Sequence, residues 1–283
     1  MKLLKTIGTI CAQNLRKWQT DYRIWTIAAF LLVMVWIYID DMGRIADGID
    51  TKMPIWIYPF LYSQFHTKLI FTLPVVLLFC NAPFVDSNQT FVYMRAGRTK
   101  WLCGQILYIF FASAIYYIFL IIVTLICTFF TGDVSLEWGK TLTTTANSNA
   151  ALYFGSPFIY VSSIVTTYFS PAAAVWFTFL LSWLCAVMIG LIIFFCNTVT
   201  GTRFLGITVT SLLVVLSALV DNGFPQFLHY SPISWNTLDK LDVGGLTTNP
   251  TFGYCVCVYL VLIAVLAAGI FIFGKRQSID VKG

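Results

Sequence analysis

The stretch LCGQILYIFFASAIYYIFLIIVTLICTFF (102–130) decides the class of fold. It contains no Asp, Glu, Lys, Arg or His, and it exceeds the roughly 20 apolar residues that a helix needs to cross a bilayer. A helix satisfies its own backbone hydrogen bonds in lipid, whereas the strands of a barrel would alternate polar and apolar residues. We therefore expect a membrane-spanning helix here, tilted because of its length.

Five further runs share this absence of charge. The chain is 59% hydrophobic and 10% charged, against roughly 45–50% and 25% in soluble domains. We predict an all-α, polytopic membrane protein that forms a single transmembrane domain over residues 1–283. The six predicted spans are about 24–39, 69–85, 102–130, 172–196, 204–220 and 252–273.

Residues 1–23 have the pattern of an interfacial helix. Apolar residues, among them Leu4, Ile7, Leu15 and Trp18, recur at helical spacing, and basic residues fall mostly between them. No apolar h-region precedes the first run, so we do not expect a signal peptide. Such a helix lies in the membrane interface with its apolar side toward the lipid. It serves as an anchor, or also as a lever at the lateral edge of a transporter.

Loop charges predict the orientation, because Lys and Arg accumulate on the cytoplasmic side. With six spans, the termini and the even-numbered connections share one side, and they hold most of the 17 basic residues. The other side holds most of the 12 acidic residues. Both termini are therefore expected in the cytoplasm. The basic residues on that side are Lys2, Lys5, Arg16, Lys17, Arg23, Arg95, Arg98, Lys100, Arg203, Lys275, Arg276 and Lys282.

The polar interval FVDSNQTFVYMRAGRTK (84–100) separates the second and third predicted spans. Asp86 or Ser87 can accept hydrogen bonds from the first-turn amides of a short helix, and Gly97 can end it. We predict a cytoplasmic helix along the membrane face. The alternative is a loop that only follows the bias of positive charge. Phe91, Val92 and Met94 would give this helix an apolar side, and the basic Arg95, Arg98 and Lys100 would keep it in the cytoplasm.

The segment DNGFPQFLHYSPISWNTLDKLDVGG (221–245) precedes the last predicted span and has no apolar run long enough to cross. Pro225 and Pro232 are expected to break it into two short helices that dip into the outer leaflet. Trp235 and Tyr230 are expected at the depth of the headgroups. We therefore predict a re-entrant external segment.

The sequence lacks the motifs of common catalytic sites. It has no GxxxxGK[ST] phosphate loop, no HExxH, no GxSxG and no zinc-spaced Cys/His set, so we expect neither an enzyme nor a metal or cofactor site. The six runs also lack the ionisable groups through which proton- or sodium-driven transporters couple. Energy for transport is therefore expected from a partner. The alternatives are a self-powered carrier or channel, and a lipid-modifying enzyme that uses His229 or Asp221.

The predicted interfacial helix, the six spans with cytoplasmic termini, the cytoplasmic helix and the re-entrant segment together resemble the permease subunits of ABC type-2 exporters. The resemblance is strongest to the small bacterial permeases of exporter or immunity type. The resemblance covers nearly the whole chain, and its nearest motif is APFVDSNQTFVYMRAGRTKWLCGQIL (82–107). Arg95 and Arg98 match the family's R-x-x-R element after the second span, and Asp86 matches its acidic position. The family often has Glu in this coupling region, and this chain has none there.

The resemblance implies a cytoplasmic ABC ATPase, as two copies or two domains, which holds the ATP and Mg²⁺. It also implies a second permease subunit, identical or related, in a bacterial plasma membrane. The substrate would be an amphipathic peptide, a lipid or a drug-like molecule. The other expected partners are membrane lipids, and none is a nucleic acid. The residues that would contact the ATPase are Asp86, Ser87, Phe91, Val92, Arg95 and Arg98.

Overall fold

The computed structural model describes residues 2–84, 89–129, 132–133, 135–245 and 247–274 of the chain. Helices dominate these residues, as the long apolar runs predict. The helices are α1 (Lys2–Arg16), α2 (Tyr22–Gly48), α3 (Phe65–Phe79), α4 (Gln89–Ala96), α5 (Arg98–Phe129), α6 (Gly139–Asn147), α7 (Ala150–Tyr153), α8 (Ser163–Tyr168), α9 (Pro171–Thr200), α10 (Arg203–Gly223) and α11 (Phe252–Gly274).

The remaining elements are short. Two strands, β1 (Met53–Pro54) and β2 (Gly132–Asp133), pair in parallel. Single 3-10 turns cover Lys17–Gln19 and Tyr58–Phe60. Three further 3-10 helices follow α10, and we call them together the 3-10 segment: Pro225–Tyr230, Pro232–Asn236 and Leu238–Lys240.

Five helices of the described chain, α2, α5, α9, α10 and α11, have the length and apolar composition to cross a membrane. The protein is therefore a helical membrane protein. α3 is also apolar, but its 15 residues are fewer than the roughly 17–25 of most spanning helices. α3 ends at Phe79, before the predicted limit of 85, because the chain turns there: the Ala82 amide donates to the Phe79 carbonyl at 2.9 Å.

The contacts at the helix ends divide the bundle into two faces. Asn197, near the C-terminal end of α9, donates its side-chain amide to the Ala82 carbonyl after α3 at 2.8 Å, and its side-chain oxygen accepts from the Gly206 amide of α10 at 3.0 Å. This end also carries α1 and α4, and we call it the α4 face. Lys68 of α3 and Asp221 of α10 meet at the other end, which we call the opposite face.

α9 forms the centre of the core. About two thirds of its most apolar stretch is buried, because the helix is apolar on every side and the other helices surround it. At Gly190 a methyl group would come within 2.7 Å of Ile109 and 3.0 Å of Phe79. Only glycine therefore lets α3, α5 and α9 approach this closely, as small residues do between helices in membranes.

The N-terminal segment is divided into two helices. α1 ends at Arg16, and α2 begins after Asp21, whose carboxylate accepts from the Arg23 amide at 3.1 Å. The predicted interfacial helix of residues 1–23 is therefore shorter than expected, because an N-cap at Asp21 starts the next helix.

Candidate functional site

Helix α4 is attached to the bundle along one side. Val92, Tyr93 and Ala96 are half-buried against the core, and the ring of Tyr93 meets that of Trp101 edge-on with 5.9 Å between centroids. Gly97 separates α4 from α5 with a φ of +83°, a backbone conformation that favours glycine. The prediction that this glycine ends a short helix is confirmed, since α4 ends at Ala96.

The other side of α4 is uncovered. Phe91 is 69% exposed and Met94 is 70% exposed, and the neighbouring Arg95 is also exposed. Two large apolar side chains beside a cation form a surface suited to a protein contact, since exposed apolar patches mark interaction sites. We call Phe91, Met94 and Arg95 the α4 surface.

Arg98 has a partner within the chain. Its guanidinium carbon lies 5.4 Å from the centre of the Tyr93 ring, and its Nε donates to the Tyr93 hydroxyl. The arrangement combines a cation–π contact with a hydrogen bond and holds α4 on α5. Of the other residues predicted to contact the ATPase, Val92 faces the bundle, and Asp86 and Ser87 lie outside the described residues.

Helix α1 docks onto α5 on the same face. Ile10 and Cys11 are buried, and a methyl group at Gly104 of α5 would come within 2.6 Å of Ile10. Asn14, which is also buried, donates its side-chain amide to the Gln105 side-chain oxygen at 2.7 Å. α1 is therefore joined to a membrane helix by close packing and a buried polar contact.

The predicted residues of α1 divide into two groups. Leu4 is 74% exposed, whereas Ile7, Leu15 and Trp18 are half-buried. Trp18 donates its indole N–H to the Tyr108 hydroxyl at 2.8 Å. The start of α1 thus offers its apolar side to the surroundings, and its end packs on α5.

The opposite face contains a buried ion pair that the sequence analysis missed. The side chains of Lys68 and Asp221 are 2% and 4% exposed, and the Lys68 ammonium contacts one carboxylate oxygen of Asp221. The ammonium also donates to the Ser234 carbonyl at 3.2 Å. The pair links α3, α10 and the 3-10 segment. α3 begins before its predicted span of 69–85, and α10 continues past its own predicted span of 204–220. Lys68 and Asp221 therefore lie inside these two helices, although the apolar runs themselves contain no charged residue.

More buried polar groups surround the ion pair. Asn236 is fully buried, and neither polar atom of its side chain has a hydrogen-bond partner within the described residues. The side chain of Asp239 is 4% exposed, with Lys240 at 3.8 Å. Burial raises the pKa of Asp239, while Lys240 and Lys68 act in the other direction. This face is therefore a region where ionisable groups are held away from water.

The 3-10 segment begins where its prolines predict. Pro225 and Pro232 each stand at the start of a 3-10 helix, where a missing N–H costs nothing. Trp235, predicted at headgroup depth, is 1% exposed and packs inside the protein, and its depth in the membrane stays a prediction. Its indole N–H donates to the Leu228 carbonyl at 2.6 Å, and the ring of Tyr259 packs against it. Tyr230, in contrast, is 82% exposed.

Comparison of the chain with protein-family models, with curated proteins and with solved structures gives no match. Within the described residues, no three His, Cys, Asp or Glu side chains come together in a group that could hold a metal ion. The α4 surface and the buried ion pair are therefore the two features that bear on function.

Proposed function

We propose that the chain is the transmembrane permease subunit of an ABC type-2 exporter. A soluble ATPase would dock on the α4 face and supply the energy that moves an amphipathic peptide, a lipid or a drug-like molecule. The observation that carries the proposal is the α4 surface, because exposed apolar side chains on a short helix outside the apolar spans offer a contact surface to a partner.

The attachment of α4 supports this role. The Tyr93–Trp101 and Arg98–Tyr93 contacts join α4 to the first turn of α5, a helix that runs from one face of the bundle to the other. A push on the α4 surface would therefore move a spanning helix rather than bend a loop. The exposed basic residues Lys5, Arg16 and Arg203 lie on the same face, which agrees with a cytoplasmic orientation.

The experiment is affinity purification of the full chain from its native membrane in mild detergent, followed by identification of the proteins that co-purify. We expect a soluble ATPase with a phosphate loop, at a stoichiometry that also shows whether the second permease is a copy of this chain. Purification of a folded chain with no ATPase would reject the proposal.

The buried ion pair favours a second candidate, a self-powered carrier. Lys68, Asp221 and Asp239 are ionisable groups enclosed by helices, and such groups often mark ion or proton pathways in membrane proteins. This candidate requires transport by the purified chain alone in liposomes under a proton gradient. Transport that stops in Asp221→Asn would support it, and the absence of flux would leave the ATPase-driven permease.

A further inference from the structure

An apolar groove of about 400 Å³ lies between α10 and α11, beside the 3-10 segment. Its walls include Leu213 and Leu216 of α10 and Val265 of α11. Phe227 and Pro232 of the 3-10 segment cover one end of it. Its volume is in the range of roughly 300–1,000 Å³ that ligand sites have.

The serine hydroxyls along this groove are already satisfied. The Ser217 hydroxyl donates to the Val214 carbonyl of its own helix at 2.7 Å. The Ser231 and Ser234 hydroxyls share a hydrogen bond of 2.8 Å. A polar ligand would find few free partners inside, whereas a hydrocarbon chain would leave no buried polar group unpaired.

The covered end of the groove is fixed in place. The Tyr259 hydroxyl of α11 donates to the Pro232 carbonyl at 2.5 Å, and the Ser234 hydroxyl donates to the Ser217 carbonyl of α10 at 3.3 Å. The ion pair adds the contact from Lys68 to the Ser234 carbonyl. The groove is therefore formed before any ligand arrives, which reduces the entropy lost on binding.

The depth of the groove matches one leaflet of a bilayer. From Gly223, the last residue of α10, to Leu213 the helix descends about 15 Å, at about 1.5 Å per residue. The hydrocarbon of one leaflet is about half of a 30 Å core. Leu216 and Val265 are 44% and 63% exposed, so the groove opens sideways from two helices of membrane-spanning length.

We propose that this groove binds one acyl chain of a phospholipid from the leaflet at the opposite face. The headgroup would lie near Tyr230, whose ring borders the groove and is 82% exposed. The acyl chain would then descend from the 3-10 segment through the space between α10 and α11 toward Leu213. Binding does not depend on the proposed ATPase, so the two proposals fail separately.

The test uses the purified, delipidated full chain in detergent and a phosphatidylcholine that carries a diazirine in one acyl chain. After irradiation, mass spectrometry locates the labelled residues. We expect labelling on the walls of the groove to saturate with probe concentration. Labelling on the exposed side of α2, at Leu32 and Trp36, should rise without saturation, as for loosely associated lipid.

A matched pair of variants makes the test specific. Leu216→Trp fills the groove. In this variant we expect the probe concentration that gives half-maximal labelling of the groove to rise about tenfold. Leu219→Trp is the control, because Leu219 is 54% exposed on the same helix but outside the groove. If Leu216→Trp does not fold, as judged by size-exclusion chromatography, Val265→Trp replaces it.

Saturable labelling that Leu216→Trp or Val265→Trp weakens by about tenfold and Leu219→Trp leaves unchanged would support the site. Labelling of the groove that does not saturate, or that the filling variants leave unchanged, would reject it. Labelling by a photoreactive free fatty acid but not by the phosphatidylcholine would reject the assignment to a phospholipid.

Discussion

The opposite face, besides exposed charges such as those of Asp40 and Arg44, contains a buried ion pair, whereas a group of basic residues on the α4 face is exposed. On the α4 face Lys5, Arg16 and Arg95 are exposed. On the opposite face Lys68 and Asp221 are almost completely buried. Exposed charges are easily screened and remain available to a partner or a membrane surface. Buried charges are tolerated only when paired, and they fix the elements that carry them. The α4 face is thus suited to contact, and the opposite face to holding its parts together.

The largest loss of stability is expected when the ion pair of the opposite face is disrupted. Asp221→Ala leaves the Lys68 ammonium buried without its carboxylate, so we expect a loss of about 3–5 kcal/mol in the free energy of unfolding. Denaturant unfolding of the purified chain in detergent measures it.

The double variant Lys68→Met with Asp221→Leu should recover most of that loss, since a well-packed apolar pair often replaces a buried ion pair at little cost. Asp40→Ala is the matched control, because the side chains of Asp40 and its ion-pair partner Arg44 are 53% and 63% exposed. We expect this substitution to change the free energy of unfolding by less than about 1 kcal/mol. Equal losses in Asp221→Ala and Asp40→Ala would show that the Lys68–Asp221 pair is not buried.

A smaller effect is expected on the α4 face, where α1 packs on α5. Gly104→Ala places a methyl group against Ile10, so we expect a loss of about 1–3 kcal/mol in the free energy of unfolding. Gly8→Ala on α1 is the control, because a methyl group there meets no atom within 4 Å and alanine favours helix by up to about 1 kcal/mol. If Gly104→Ala is as stable as Gly8→Ala, α1 does not dock on α5 as described.

The next prediction concerns pH. The raised pKa of Asp239 means that the folded state holds this proton more tightly than the unfolded state. The contribution of Asp239 to stability is therefore most favourable at low pH, and it declines as the pH rises from about 4 toward the folded pKa. Lys240, Lys68 and Asp221 are the charged groups that act on it.

Asp239→Asn removes this titration. We expect the variant to gain stability relative to the native chain as the pH rises above about 4, by up to about 1.4 kcal/mol per pH unit. Unfolding curves at several pH values measure the difference, with Asp47→Asn, an exposed carboxylate of α2, as control. A constant difference across this range would mean that Asp239 titrates alike in both states.

Much of the fold follows from local sequence. The apolar runs predict the long helices, Gly97 predicts the end of α4, and Pro225 and Pro232 predict where the 3-10 helices begin. These features depend on a few neighbouring residues and on the chemistry of the backbone. The sequence alone therefore predicts that the fold is that of a mostly helical membrane protein.

The partners of polar residues are not readable in this way. Lys68 and Asp221 are 153 positions apart in the sequence, and Asn14 and Gln105 are 91 positions apart. No local sequence pattern can therefore predict either contact. Trp235 is of a residue type that is common at membrane interfaces, but tertiary packing buries it within the protein. The one available signal was that Lys68 and Asp221 each lie next to the end of an apolar run, where a helix can extend to include them.

Docking of an ATPase on the proposed site, the α4 surface, can be tested with two double variants. The double variant Phe91→Ala with Met94→Ala is compared with Leu152→Ala with Tyr153→Ala, whose side chains are 71% and 84% exposed on the opposite face. Each is purified from the native membrane, and the co-purifying ATPase and its substrate-stimulated activity are quantified.

Neither double variant should change the free energy of unfolding by more than about 0.5 kcal/mol, because exposed side chains contribute little to stability. We predict that Phe91→Ala with Met94→Ala loses the ATPase and its stimulation, and that Leu152→Ala with Tyr153→Ala keeps both. Full retention of a stimulated ATPase by a folded Phe91→Ala, Met94→Ala protein would contradict the account.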